Sequence, residues 1–289
     1  MKLLLIDTSG LFHKAKHGMN TNLTYEDQRV EIIFTFLNSL KMIKSNFPNF
    51  QTVFALDSRI NVRRTIYPSY KFHRSHKEKT PEEIEFDRLA WLQFSELKLN
   101  ILPSLGFRNI FHQTGYESDD IIASIVKNHD GNCVICSRDK DFYQLLSDTC
   151  SIFDPHERKH FYQKNLQKIY RITPKQWLEA KIIGGCVSDE VPGIDGVSDV
   201  AKSESSKALA YVRGELKPGK ISERINVEKA RIEENRKLIA LPFKGVNTFT
   251  IIPDVLHSKD FRDCFESLGF QSFLRNDEFR QWQEVFRLL

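Results

Sequence analysis

As far as Asn165 the chain alternates short apolar runs with segments of helical spacing, and most of those runs lead into acids. The runs are Leu3–Ile6 before Asp7, Thr52–Leu56 before Asp57, the weaker Asn109–His112, Cys133–Cys136, and the short Ser151–Phe153 before Asp154. Runs this short, bounded by polar residues, suit buried strands. Between them, Val30, Ile33, Phe34, Leu37, Leu40 and Met42 fit one amphipathic helix, and Ile121, Ile122, Ile125 and Val126 form the stripe of another. Thr80-Pro81-Glu82-Glu83 is a capping box with proline at the first helical position, opening a helix towards Leu102. Strands alternating with helices predict an α/β fold, a parallel sheet with helices on both faces.

Beyond that point the strand signal fades. Thr173-Pro174-Lys175-Gln176 is a second capping box, opening a helix through Ile183, and a turn-rich stretch with Pro192, Gly193 and Gly196 follows. Helical segments around Ala201–Tyr211 and Glu228–Leu241 come next, then a C-terminal helical pair. The expected organisation is an α/β core over residues 1–168 and a mainly helical region over 169–289, joined near 165–172.

Composition narrows the setting. No apolar run approaches the roughly 18 residues of a membrane span, and the N-terminus carries no secretory pattern. Five cysteines, an odd number in a chain of 289 residues, point to a reducing, cytoplasmic setting. Cys133 and Cys136 form a CxxC within a strand, where an i, i+3 pair faces opposite ways, so they read as buried structural thiols. The net charge of +4 is mild, but from Arg59 to Lys79 seven Lys or Arg stand against one acid, with Tyr67, Tyr70 and Phe72 among them. A charge run alone is usually a solvated loop; mixed with aromatics it suits a polyanion whose bases stack.

The acids decide between those readings. The carboxyl ends of parallel strands line one edge of a sheet, where ligands bind. Asp7 and Asp57 end strands; Glu117, Asp119 and Asp120 cluster after the third; Asp139 and Asp141 form a DxD after Cys133–Cys136. Singly, each is explained by a turn, a cap or a helix dipole. Caps do not require an acid after every main strand. Carboxylates gathered at one rim repel unless hard cations neutralise them, and oxygen ligands suit Mg2+ or Mn2+.

The segments LLLIDTSGLFHK, VFALDSR, YPSYKFHR, GYESDDIIASI, CSRDKDFYQLL, SDEVPGIDGV, ENRKLIALP and FESLGFQSFLR, in that order, resemble the 5′-nuclease superfamily of flap endonucleases and 5′–3′ exonucleases. The likeness is greatest to free-standing bacteriophage enzymes and to the 5′-nuclease domain of bacterial DNA polymerase I. It implies a PIN-like core with an arch over about 59–100 and a helix–turn–helix-type DNA-binding module in the helical region. It implies one metal on Asp7, Asp57, Glu117 and Asp119, a second on Asp139, Asp141 and Asp189, and Asp120 between them. Two such ions, about 4 Å apart, generate hydroxide and stabilise the leaving oxygen, giving a 5′-phosphate and a 3′-hydroxyl. Lys71 would meet the scissile phosphate with help from Arg74, while Tyr67 or Tyr70 stacks a terminal base. Arg63 and Arg64 belong to the same DNA-binding segment. From Thr173 to about Leu209, Gly193 and Gly196 would offer backbone N–H groups to duplex phosphates, with Lys202 and Lys207 nearby.

One departure stands out. Gly185-Cys186-Val187-Ser188-Asp189 places Cys186 where the family has a metal-facing aspartate, and a thiol is a poor magnesium ligand. The second site is expected to be weakened. The leading expectation is a structure-specific nuclease acting on branched or 5′-ended DNA and RNA–DNA primers in replication or repair, partnered by a single-stranded-DNA-binding protein or a clamp. The alternatives are a non-catalytic branched-DNA-binding accessory and a PIN-like ribonuclease.

Overall fold

The first two apolar runs form the strands Leu3–Asp7 and Gln51–Leu56, paired in parallel with Leu3 opposite Gln51 and Asp7 opposite Ala55. They belong to a computed structural model that describes residues 1–18, 23–73 and 78–289. The chain is a mixed α/β protein with a mainly parallel sheet flanked by helices. It packs as two compact units of discontinuous segments: Met1–Leu56, Glu78–Phe111 and Thr250–Leu289 in one, Asp57–Lys77 and His112–Phe249 in the other.

In the first unit, the helix Glu31–Ser45 buries Ile33, Leu37 and Leu40 of the expected stripe, but Phe36 and Ile43 are buried with them where Phe34 and Met42 were expected, and those two are half-buried. Thr80 caps Pro81–Glu96 as its sequence dictates: its hydroxyl accepts from the Glu83 N–H, and the Glu83 carboxylate accepts from the Thr80 N–H. That helix continues through a π-helical turn, Leu97–Ile101, to Ser104. The chain's end returns to this unit, where the Asn109 amide exchanges hydrogen bonds with the backbone of Ile252. Its helices Ser258–Ser267 and Asn276–Phe286 bury Phe261, Phe265, Trp282 and Phe286, with ring centroids 4.9 Å apart for Phe265 and Trp282.

In the second unit, Cys133–Cys136 pairs in parallel with Cys150–Asp154, and Lys159–Phe161 adds an antiparallel edge. Spacing marks the first two of these; three residues of mixed character give no periodicity to mark the third. The second capping box opens Pro174–Gly184 as expected. Ala201–Ser206, expected as helix, is turn, and Ser206 caps the shorter helix Lys207–Val212. Lys220–Val227 is a helix with one buried residue, Ile225, too little for an apolar stripe to announce it. All five cysteines are buried thiols. Among the described residues no helix is long and apolar enough to cross a membrane.

Candidate functional site

The site grows from the start of the helix Ser118–Asn128. Its sequence opens Glu117-Ser118-Asp119-Asp120, three acids at a helix N-terminus, where unpaired N–H groups and the dipole favour negative charge. Asp120 reaches back to the Glu117 N–H at 3.2 Å. Asp57, just past its strand, accepts from the Ser118 N–H at 2.7 Å. Asp119 is left in tension. Burial beside Asp120 and Glu117 pushes its carboxyl well above the ordinary range, and its Oδ1 is buried without a hydrogen-bond partner. An orphaned oxygen in an anionic setting is what a bound hard cation would satisfy.

Two cations from the basic segment brace these acids. Arg63 is 1% exposed and grips Asp120 with two parallel bonds, 2.6 and 2.7 Å. It also lies 3.3 Å from Glu117, donates to the Leu238 carbonyl at 2.9 Å, and stacks 4.8 Å from the Phe243 ring centroid. The Phe243 N–H adds a bond of 2.7 Å to Asp120. Asp120, expected between two metals, thus has both oxygens engaged by the protein. Arg63, expected at DNA, faces inward.

Lys71 adopts a left-handed backbone, φ 53°, which Arg64 secures by donating to the carbonyls of Tyr70 and Lys71 at 3.0 and 3.1 Å. The strained turn aims Lys71 Nζ at Glu117 Oε1, 2.5 Å away, with Asp189 Oδ1 at 3.7 Å. Tyr70, 3% exposed, lies beneath it with its hydroxyl 2.9 Å from Glu117 and 3.2 Å from Asp189. One proton cannot serve both carboxylates, so this hydroxyl donates to one while standing against the other. Burial opposes charge on Glu117, but Lys71 and Arg63 outweigh it and hold the carboxyl below its usual range. Burial raises the Tyr70 phenol, and Glu117 raises it further. With its ring buried, Tyr70 has no face for a DNA base; Tyr67 packs beside it, half-buried.

A second group faces the same pair. Asp139 caps the 3-10 helix Lys140–Leu145 by accepting from the Asp141 N–H at 2.7 Å, and this turn projects Asp141. Asp141, Cys186 and Asp189 each offer a donor atom within 4.8 Å of the others, and this is the one such trio among the described residues. Lys181 Nζ is 2.8 Å from Asp141 and 3.7 Å from Asp199, with 2% of the residue exposed. Burial and the neighbouring Asp141 push the Cys186 thiol up to about 11.

Backbone geometry puts Cys186 there. Gly185 has φ +72°, and Gly185–Cys186 pairs antiparallel with Val191–Pro192. A Cβ on Gly185 would stand 2.3 Å from the Gly193 nitrogen. Gly185→Ala should therefore destabilise by about 1–3 kcal/mol, read as a lower urea midpoint; an unchanged midpoint would remove the hairpin from this account.

The remaining expected residues fall as follows. Asp7 ends its strand in the first unit and caps Thr8–His17 through the Gly10 N–H at 3.1 Å. Gly193 packs against the backbone of Gly184, and Gly196 turns with φ +81°. Lys202 and Lys207 are exposed, with Lys207 Nζ 3.4 Å from the Gly196 carbonyl. Arg74 lies outside the described residues. Lys181 and Asp199 were not anticipated; Lys181 shares the stripe of Trp177 and Ala180, an inward position for a lysine that spacing alone marks.

Residues 2–171 match the family described as 5′-3′ exonuclease, N-terminal resolvase-like domain. The whole chain is 27% identical to thermostable DNA polymerase I of Thermus thermophilus, covering 33% of that protein. A stretch of 202 residues, 68% of the chain, is 30% identical to thermostable DNA polymerase I of Thermus aquaticus and covers 23% of it. The chain thus spans a third or less of these relatives' length. Among solved structures, bacteriophage T5 D15 protein co-crystallised with metal ions aligns over 99% of both chains, with TM-score 0.69 and 19% identity. The catalytic core of Rad2 in complex with DNA substrate aligns over 99% of this chain and 90% of its own, with TM-score 0.52 and 12% identity. At such identities these two likenesses speak to the fold.

Proposed function

We propose a 5′-nuclease reaction from the premise that the chain belongs to the 5′–3′ exonuclease family, whose N-terminal resolvase-like domain it matches over residues 2–171. The observation that carries the proposal is the bridge of Tyr70 and Lys71 from Glu117 to Asp189. Through it, acids far apart in the sequence, from Asp57 to Asp189, form one connected group in the second unit.

The substrate class is branched or 5′-ended DNA, including RNA primers on DNA, in replication or repair. Thermus and T5 relatives, with Rad2, carry polymerase, metal or DNA in their names, which supports that class. Asp57, Glu117 and Asp119 would hold a hard divalent ion, Mg2+ in the cell, and the orphaned Asp119 oxygen supports the fit. When bound, such an ion supplies hydroxide at neutral pH and stabilises the departing oxygen. Lys71 then serves the scissile phosphate as a point charge, pre-aimed by the left-handed turn that Arg64 fastens. Tyr70 orients Glu117, and Arg63 fixes the helix start by occupying Asp120. Asp7 is proposed as a further ligand on the family resemblance alone, and Arg74 as Lys71's helper on the same ground.

Thr173 to about Leu209 is proposed as the helix–turn–helix-type grip on duplex phosphates, with the exposed Lys202 and Lys207 supplying charge and the Gly196 turn its shape. The division at residue 168 is likewise a proposal about roles, core chemistry before it and duplex grip after it. A cytoplasmic setting and a single-stranded-DNA-binding or clamp partner follow from the proposed role.

A 5′-labelled flap incubated with Mg2+, with and without chelator, tests the reading. Metal-dependent release of a 5′-phosphorylated product is expected, with cutting lost and gel-shift retention kept in Asp119→Asn, which removes a carboxylate proposed to hold the ion. Retention without cutting under any divalent metal would instead identify a branched-DNA-binding accessory. Faster cleavage of a matched RNA flap would identify a PIN-like ribonuclease.

A further inference from the structure

We propose that Asp141, Cys186 and Asp189 form a site for a thiophilic divalent cation, of the zinc class, rather than a second magnesium site. The inference rests on the metal-dependent reading above, and it concerns which ion this half of the site accepts.

Geometry comes first. The three donor atoms lie within 4.8 Å of one another. Tetrahedral zinc, with sulfur at about 2.3 Å and oxygen at about 2.0–2.2 Å, sets its ligands roughly 3.5 Å apart, so modest side-chain rotations close the trio on one ion. Ser188 Oγ, 3.1 Å from Cys186 Sγ, supplies a hydroxyl beside the sulfur.

Charge points the same way. A hard dication is held by uncompensated carboxylates, and here they are partly compensated already. Lys181 stands 2.8 Å from Asp141, and Lys71 stands 3.7 Å from Asp189. Lys181 is 2% exposed and fixed between Asp141 and Asp199, so it does not swing into solvent to make room. Magnesium would meet two carboxylates with ammonium partners and a neutral thiol, a poor ligand for it. A thiophilic ion gains a ligand that magnesium lacks. As it binds, the Sγ–H bond breaks, a sulfur–metal bond forms, and the proton leaves to solvent, one per ion. The other cysteines, Cys133, Cys136, Cys150 and Cys264, are buried and belong to no such trio among the described residues.

Co2+ is the probe, added to the full chain. A thiolate-to-cobalt charge-transfer absorption should appear in the near ultraviolet and be displaced by Zn2+ but not by excess Mg2+. Cys264→Ser should keep the band. Cys186→Ser should lose it and weaken Zn2+ binding by at least about 10–100-fold. Cys186→Asp should lose the band and gain Mn2+ affinity, which separates a changed ligand from a misfolded chain. Absence of the band in the parent protein, its survival in Cys186→Ser, or its displacement by Mg2+ would each overturn the proposal. Mg2+-dependent flap cleavage without the band would overturn this site alone. The band, lost in Cys186→Ser, with no cleavage under any metal would support this site and overturn the nuclease reading.

Discussion

Lys71→Ala should slow single-turnover flap cleavage by about 10²–10³-fold, the loss that follows removal of one charge-stabilising donor from a reacting centre. DNA retention should change far less. Lys71 differs from the rest of the basic segment in that its ammonium is aimed: the φ of 53° is costly for a residue with a Cβ, and two Arg64 bonds to neighbouring carbonyls hold it. Such strain is seldom kept for bulk phosphate attraction, which any exposed lysine supplies. The ammonium rests on Glu117 and near Asp189, so it spans both acid groups. Its removal also frees Glu117, whose carboxyl would then titrate at higher pH than in the parent, because the first of the cations holding it down is gone. The rate defect should therefore deepen as pH falls. Arg64→Ala should produce a smaller defect of the same kind by loosening the turn. The measurement is the cleavage constant at saturating enzyme. A Lys71→Ala protein that cleaves at the parent rate once bound, and is impaired only in binding, would reduce Lys71 to one phosphate contact among many.

The strands and helix starts were legible because their signals are local. A capping box is four residues, and Thr80 and Thr173 each begin a helix where their side chains say. The ends of Leu3–Asp7 and Gln51–Leu56 were legible for a related reason: a strand's carboxyl end is marked by where its apolar run stops. Side-chain direction within a basic segment is not local. Arg63 and Arg64 are adjacent and chemically alike, yet one is buried on Asp120 and the other lies exposed, stapling a turn. Nothing in a segment carrying seven cations tells which will turn inward; that depends on Asp120, Leu238 and Phe243, all distant in sequence. Tyr70 was hidden similarly, its aromatic character fitting base stacking as well as burial. Lys181 left a trace, since its place in the Trp177 and Ala180 stripe is wrong for a solvated lysine. The hairpin that carries Cys186 left none, because strands of two residues have no period to read.

Arg63→Met should cost about 3–5 kcal/mol of folding stability, the range for breaking a buried ion pair from one side. Asp120 is fully buried, and Arg63 is the cation that answers it with two bonds. Methionine fills much of the volume, so what is lost is compensation of that charge, together with the bond to the Leu238 carbonyl and the stacking on Phe243. Arg63→Lys should recover only part, since an ammonium cannot reproduce the paired geometry. The informative variant is the double replacement, Arg63→Met with Asp120→Leu. Removing both charges together should restore most of the stability, read in a urea titration. Cleavage should stay low nonetheless, because Glu117 has lost both the Arg63 contact and the Asp120 carboxylate that binds its own N–H. Stability and catalysis then separate at one pair of residues. If the double variant cleaved as well as the parent, the pair would serve only the core, and the aim of Glu117 would rest on Tyr70 and Lys71 alone. If Arg63→Met itself unfolded at the parent's urea midpoint, Asp120 would be drawing its compensation from elsewhere, and the braced helix start would no longer explain how the acids are held.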